Sequence, residues 1–110
     1  MKKSNPLNLN KLQLKTLALL QECANETKKN VSDIEVTLHS LPQPHGDHFH
    51  VGNKLVMSKD ATGLSNPSVW KALERKGLIS GKYPIPVTIT KTGLNYEIKW
   101  AKNIFMESSH

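Results

Sequence analysis

Gly63-Leu-Ser-Asn-Pro-Ser-Val-Trp-Lys-Ala-Leu-Glu-Arg-Lys-Gly-Leu-Ile79 reads as one helix with a start, a face and a stop. Ser65 or Asn66 can cap its N-terminus, because a short side-chain oxygen accepts an otherwise orphaned backbone N–H. Pro67 suits the first helical position, where its missing N–H costs nothing. Val69, Trp70 and Leu73 recur at helical spacing as an apolar stripe, and Ser68, Lys71 and Arg75 fall on the opposite side. Gly77 fits a left-handed cap, after which Leu78-Ile79 leaves as extended chain. A short capped helix with a polar, basic outer face has the form of a recognition helix. An ordinary amphipathic surface helix shows the same pattern.

Downstream, Ser80–Pro86 is a turn-rich connection containing Gly81, Pro84 and Pro86, and Val87-Thr-Ile-Thr90 alternates as a strand does. Thr90 or Thr92 can start a last helix. Leu94, Ile98, Ala101 and Phe105 would form its stripe, with Tyr96 and Trp100 nearby, before Glu107–His110 frays.

Upstream, Met1–Asn8 is polar, contains Pro6 and reads as a loose tail. Asn10 with Gln13 forms a capping-box pattern for a helix over Lys11–Ala24. Leu12, Leu14, Leu17, Leu19, Leu20 and Cys23 make that helix apolar around much of its circumference, so two of its sides should be covered. After the polar break Asn25–Asp33, the stretch Ile34-Glu-Val-Thr-Leu-His-Ser40 alternates strictly, placing Ile34, Val36 and Leu38 on one face. Pro42 and Pro44 end that strand. His48-Phe-His-Val51 alternates again, with Phe49 and Val51 inward, and Gly52-Asn53 turns into a third strand over Lys54–Ser58. The simplest arrangement of the three is an antiparallel meander with one face on the core.

The order from Gly63 to about Glu97 resembles the winged helix-turn-helix of MarR-like bacterial regulators. Their recognition helix ends in a Leu-x-x-x-Gly-Leu-Ile pattern, matched by Leu73-Glu-Arg-Lys-Gly-Leu-Ile79. Their second wing strand ends in Leu-Thr-x-x-Gly, matched by Ile89-Thr-Lys-Thr-Gly93. The resemblance covers about a third of the chain. It implies binding to double-stranded DNA, with Asn66, Ser68, Lys71 and Arg75 toward the groove and Lys76 and Lys82 on phosphates. It also implies a homodimer through the C-terminal helix 92–106, although the same apolar stripe would equally suit the chain's own core. The chain departs from the pattern in three places. The helix before the turn shrinks to roughly Lys59–Thr62, strands stand where a helix is expected, and the wing loop carries one Lys and no Arg. The expected fold class is therefore α+β: one winged-helix-like domain over 1–110 with an additional small antiparallel β-meander.

Pro44-His-Gly-Asp-His-Phe-His-Val51 gathers three of the five histidines. On a strand, His48 and His50 share a face, and Gly46 lets the turn bring His45 back toward them. Three imidazoles at this spacing suit zinc, with His39 as a fourth ligand and Asp47 as a ligand or an outer carboxylate. The segment resembles the His-x-x-His-x-His motif of streptococcal histidine-triad proteins, which implies His45, His48 and His50 as the ligands. The plain alternative is an exposed, titrating strand face.

Fifteen basic against nine acidic residues give a net charge of +6, which favours polyanionic partners. All the basic residues except Arg75 are lysines, which suit phosphate contact better than base reading. No apolar run reaches the length of a membrane span, and no apolar segment of a signal peptide follows Met1-Lys2-Lys3, so the expected location is the cytoplasm without membrane contact. Single Cys23 excludes an internal disulfide and reads as a buried helix residue. No phosphate loop, nucleophile elbow or paired-carboxylate pattern is present, so the chain is not expected to be an enzyme. The enzyme reading that survives is a metal-assisted hydrolase at the histidines, with Asp47 or Glu35 as base. The other alternative to a DNA-binding regulator is a protein-interaction module on the same scaffold, with or without zinc.

Overall fold

A computed structural model of the chain describes residues 5–27, 34–99 and 101–107. Among them are three α-helices and two antiparallel sheets, an α+β arrangement consistent with a winged-helix-like fold.

The first helix, α1 (Lys11–Thr27), starts on the expected capping box. Gln13 donates its backbone N–H to Asn10 Oδ1 at 2.8 Å, and Asn10 donates its own to Gln13 Oε1 at 3.0 Å. Leu17, Leu19 and Leu20 are fully buried, because α1 runs through the centre and meets α2 (Pro67–Arg75), both sheets and the segments Lys91–Asn95 and Ala101–Ile104. That explains why its leucines surround the helix instead of lining one stripe.

The first sheet joins β1 (Val36–Leu38), β6 (Val87–Ile89) and β5 (Ile79–Gly81), in the order β1-β6-β5. Val36 and Leu38 are buried opposite Ile89 and Val87, while the Thr37 and Thr88 hydroxyls meet at 2.7 Å on the outer face. The strand is shorter than the alternation implied. Ile34 is 63% exposed, outside the paired register.

The second sheet has the order β2-β3-β4-β7 and is built from β2 (Pro44–His45), β3 (His48–Val51), β4 (Lys54–Met57) and β7 (Phe105–Glu107). The expected antiparallel meander is present as β2-β3-β4, but its first strand is not the expected one. β1 pairs with β6 of the other sheet, and Pro44, expected only to end a strand, begins the hairpin that takes β1's place.

Two short 3-10 turns, Ser58–Asp60 and Thr62–Ser65, replace the helix expected before α2. Lys15 of α1 anchors the first of them by an ion pair to Asp60 at 2.7 Å.

The largest correction concerns the C-terminus. The helix expected over 92–106 stops early: α3 is Lys91–Asn95, and Tyr96 is already extended. Gln21 of α1 donates to the Gly93 and Tyr96 carbonyls, both at 2.8 Å, and so satisfies acceptors that a longer helix would have used internally. Tyr96 itself is buried, accepting from the Leu7 N–H and donating to Asn5 Oδ1. The chain then passes through a 3-10 turn at Ala101–Ile104 into β7, which pairs with β4. Ile104 is buried and Phe105 packs against the core, so part of the expected dimer stripe is used within the chain. Without the helix, the expected homodimer loses its proposed surface. From Asn5 onward the N-terminal segment is likewise tied down, with Leu9 buried; residues 1–4 and 108–110, where fraying was expected, lie outside the described residues.

Candidate functional site

The stretch Gly63–Ile79 forms α2 (Pro67–Arg75) and its flanks much as its residues dictate. Asn66 is the cap, its Oδ1 accepting from the Ser68 N–H at 3.0 Å. Val69, Trp70, Ala72 and Leu73 are buried, and Ser68, Lys71, Glu74 and Arg75 are exposed. Gly77 adopts φ +77°, and its geometry lets Leu78 turn directly into β5.

Gly93 has a different reason. A Cβ there would collide with the Leu78 carbonyl, so α3 lies against the backbone at the end of α2's exit. Thr90 fixes the same corner, with its hydroxyl accepting from the Gly93 N–H and donating to the Gly77 carbonyl. The Thr-x-x-Gly pattern is thus a cap and a close approach in one motif.

The β5–β6 hairpin stands beside α2. Between them lies a groove of about 200 Å³. Trp70, Ile79 and Val87 form its apolar wall, and Lys71, Glu74 and Lys82 are charged members of its lining. Tyr83 meets Trp70 edge to face, with ring centroids 5.3 Å apart. Trp70 is held in turn by donating its indole N–H to the buried Leu64 carbonyl at 3.1 Å. Tyr83 and Ile85 of the hairpin are 43% and 38% exposed.

The six residues assigned to nucleic acid therefore differ in availability. Ser68, Lys71 and Arg75 are exposed on α2 and Lys82 on the hairpin, and Lys71 and Lys82 line the same groove. Asn66 is occupied as a cap. Lys76 donates its ammonium to the Leu7 carbonyl at 2.6 Å and serves as a tether for the N-terminal segment. Tyr83 was missed by sequence reasoning, because nothing in Lys-Tyr-Pro-Ile-Pro says that the ring folds back onto Trp70.

The histidines occupy the outer face of the second sheet. His45 pairs with His48 across the hairpin, and His48 and His50 alternate onto the same face. The ring centroids are 4.8 Å apart for His48–His50, 5.2 Å for His45–His50 and 6.3 Å for His45–His48. The Nε2 atoms of His48 and His50 lie 3.2 Å apart. Asp47 Oδ1 lies 3.2 Å from His48 Nδ1, where it accepts that ring's N–H in the tautomer that leaves Nε2 with its lone pair. His39 follows β1, in the other sheet, and among the described residues no ring contact joins it to the three. Nor, among the described residues, do three or more His, Cys, Asp or Glu side chains stand ready as a ligand set. The expected four-histidine site is thus reduced to a close pair with a third ring alongside.

Cys23 is buried in α1, and burial together with the Glu22 carboxylate pushes its thiol up to about 12. It is a neutral packing residue at physiological pH. Among the described residues no helix is long and apolar enough to cross a membrane. Comparison with protein-family models, with curated proteins and with solved structures found no match.

Proposed function

We propose that this chain is a cytoplasmic DNA-binding protein of winged-helix type, a transcriptional regulator that uses α2 as its recognition helix and the β5–β6 hairpin as its wing. One observation carries the reading. Lys71 on α2 and Lys82 on the hairpin both line a single groove, with Ser68 and Arg75 exposed next to it on α2. The exposed face of α2, with Lys71 and Arg75, suits the major groove, and Lys82 on the adjoining hairpin suits a flanking phosphate, with Glu74 the one acidic member of the lining. The net charge of +6 adds long-range attraction to the same partner. The test is binding of purified protein to generic duplex DNA across a salt series, compared with Lys71→Ala combined with Arg75→Ala. Affinity should fall steeply with salt in the wild type and be lost in the double variant.

A second reading rests on a separate observation. The same groove has an apolar wall, and Tyr83 and Ile85 stand exposed at the hairpin. That composition suits a partner protein's side chain, as in an interaction module on the same scaffold. Binding lost on Ile85→Ser but kept in Lys71→Ala would favour it.

A further inference from the structure

The outer face of the second sheet carries more than histidines. His48 is the direct cross-strand partner of Met57, and His50 is the partner of Leu55, which is itself paired with Met106. Directly paired residues of an antiparallel sheet share a face, with Cβ atoms about 4.5–5.5 Å apart. The opposite face takes Phe49, Val56 and Phe105 into the core. The strands therefore display imidazoles and thioethers together outward: His48 opposite Met57, His45 and His50 next to His48, and Met106 two strands from His50. Met57 is half-buried next to His48.

We propose that this face is a transition-metal site in which His48 Nε2, His50 Nε2 and the Met57 thioether hold a Cu(I) ion. Two nitrogens bonded to one ion at about 2.0–2.1 Å in tetrahedral geometry lie about 3.3 Å apart. The two Nε2 atoms, joined at 3.2 Å by a hydrogen bond in which one ring donates to the other, already have that separation, and the ion would take the place of the proton between them. Asp47 does for His48 what an outer carboxylate does for a metal-bound histidine: it holds the Nδ1 proton and aims Nε2. Imidazole alone accepts zinc, copper or nickel, whereas a thioether selects the soft Cu(I) ion. Met57 is therefore the specificity-determining residue and His45 a flanking ring. The site lies on a different sheet from the α2 groove, so it stands or falls apart from DNA binding.

The test uses chelator-treated full chain. Cu(I) is titrated anaerobically against a chromophoric Cu(I) chelator, and Zn(II) is titrated by calorimetry. One Cu(I) per chain is expected. His48→Ala and His50→Ala should each weaken it at least about tenfold while the far-ultraviolet dichroism stays unchanged. Met57→Leu, which keeps the apolar volume, should weaken Cu(I) and leave Zn(II) binding as it was. No Cu(I) uptake by the wild type overturns the site. So does uptake that survives the His48→Ala, His50→Ala double variant. A silent Met57→Leu, with His45→Ala as damaging as His48→Ala, overturns the thioether assignment in favour of an all-imidazole site.

Discussion

Trp70 of α2 and Tyr83 of the β5–β6 hairpin meet edge to face with ring centroids 5.3 Å apart, so the hairpin loop leans on the helix through this pair. Trp70 is rigid because its ring is buried and its indole N–H is bonded to the Leu64 carbonyl. Tyr83 is the adjustable half, partly exposed on a turn-rich loop. Edge-to-face aromatic pairs contribute about 0.5–1.5 kcal/mol beyond the area they bury. Tyr83→Ala should therefore lower stability in urea by at least that amount, since the ring's buried area is lost as well, and shift the tryptophan emission to which Trp70 contributes. Unchanged stability and emission would mean that the two elements do not lean on each other.

Gly93 should resist substitution for a local reason. A methyl group there meets the Leu78 carbonyl, which is backbone and cannot rotate away. Gly93→Ala should cost about 1–3 kcal/mol, read as a lower midpoint in denaturant. Gly46, whose added Cβ would meet nothing within 4 Å, is the comparison: at φ +68° only backbone strain opposes a side chain, and Asn tolerates that region, so Gly46→Asn should cost less.

Lys76 and Lys82 are both basic and close to the same helix, yet they should behave oppositely. Lys76→Ala removes the 2.6 Å bond to the Leu7 carbonyl and should lower stability by about 1 kcal/mol, with little change in how DNA affinity depends on salt. Lys82→Ala should leave stability unchanged and reduce the slope of log K against log salt by about 0.9, as expected for one lost phosphate contact. Denaturation curves and salt titrations of the two variants check both statements.

Cys23 should be silent to thiol reagents at pH 8 in the folded chain and reactive once the chain is unfolded in urea. Its thiol lies at about 12 in the folded protein against an ordinary 9.0, chiefly because burial disfavours the thiolate. Between those two values the unfolded chain releases a proton that the folded chain holds. The contribution of Cys23 to stability is therefore full below pH 9 and is lost as pH rises toward about 12. Iodoacetamide labelling and alkaline denaturation, compared with Cys23→Ala, test this.

Much of the fold was legible because it rests on local chemistry. The Asn10–Gln13 box, the Asn66-Pro67 start, the Gly77 exit and the alternation of His48–Val51 all formed as their residues dictate. Long-range pairing was not legible. Alternation marks β1 as a strand but does not say that its partner is Val87–Ile89 instead of the adjacent hairpin. The stripe from Leu94 to Phe105 has helical spacing, yet Gln21 and the buried Tyr96 end α3 early and free Phe105 to enter the second sheet. Of the candidate site residues, the exposure of Ser68, Lys71 and Arg75 followed from helix periodicity. The use of Lys76 as a tether depended on a residue 69 positions away, and no local pattern carries that. Met57 was within reach, because period two puts it on the face opposite Val56, together with the histidines.

The proposed duplex-binding surface is the α2–hairpin face. The most direct measurement is fluorescence anisotropy of a labelled generic duplex titrated with the full chain from low to physiological salt, alongside the Lys71→Ala, Arg75→Ala double variant. Wild-type binding should weaken steeply with salt, and the double variant should not bind at any salt tested. A wild type that fails to bind even at the lowest salt, or a double variant that binds as the wild type does, would contradict duplex binding by this face.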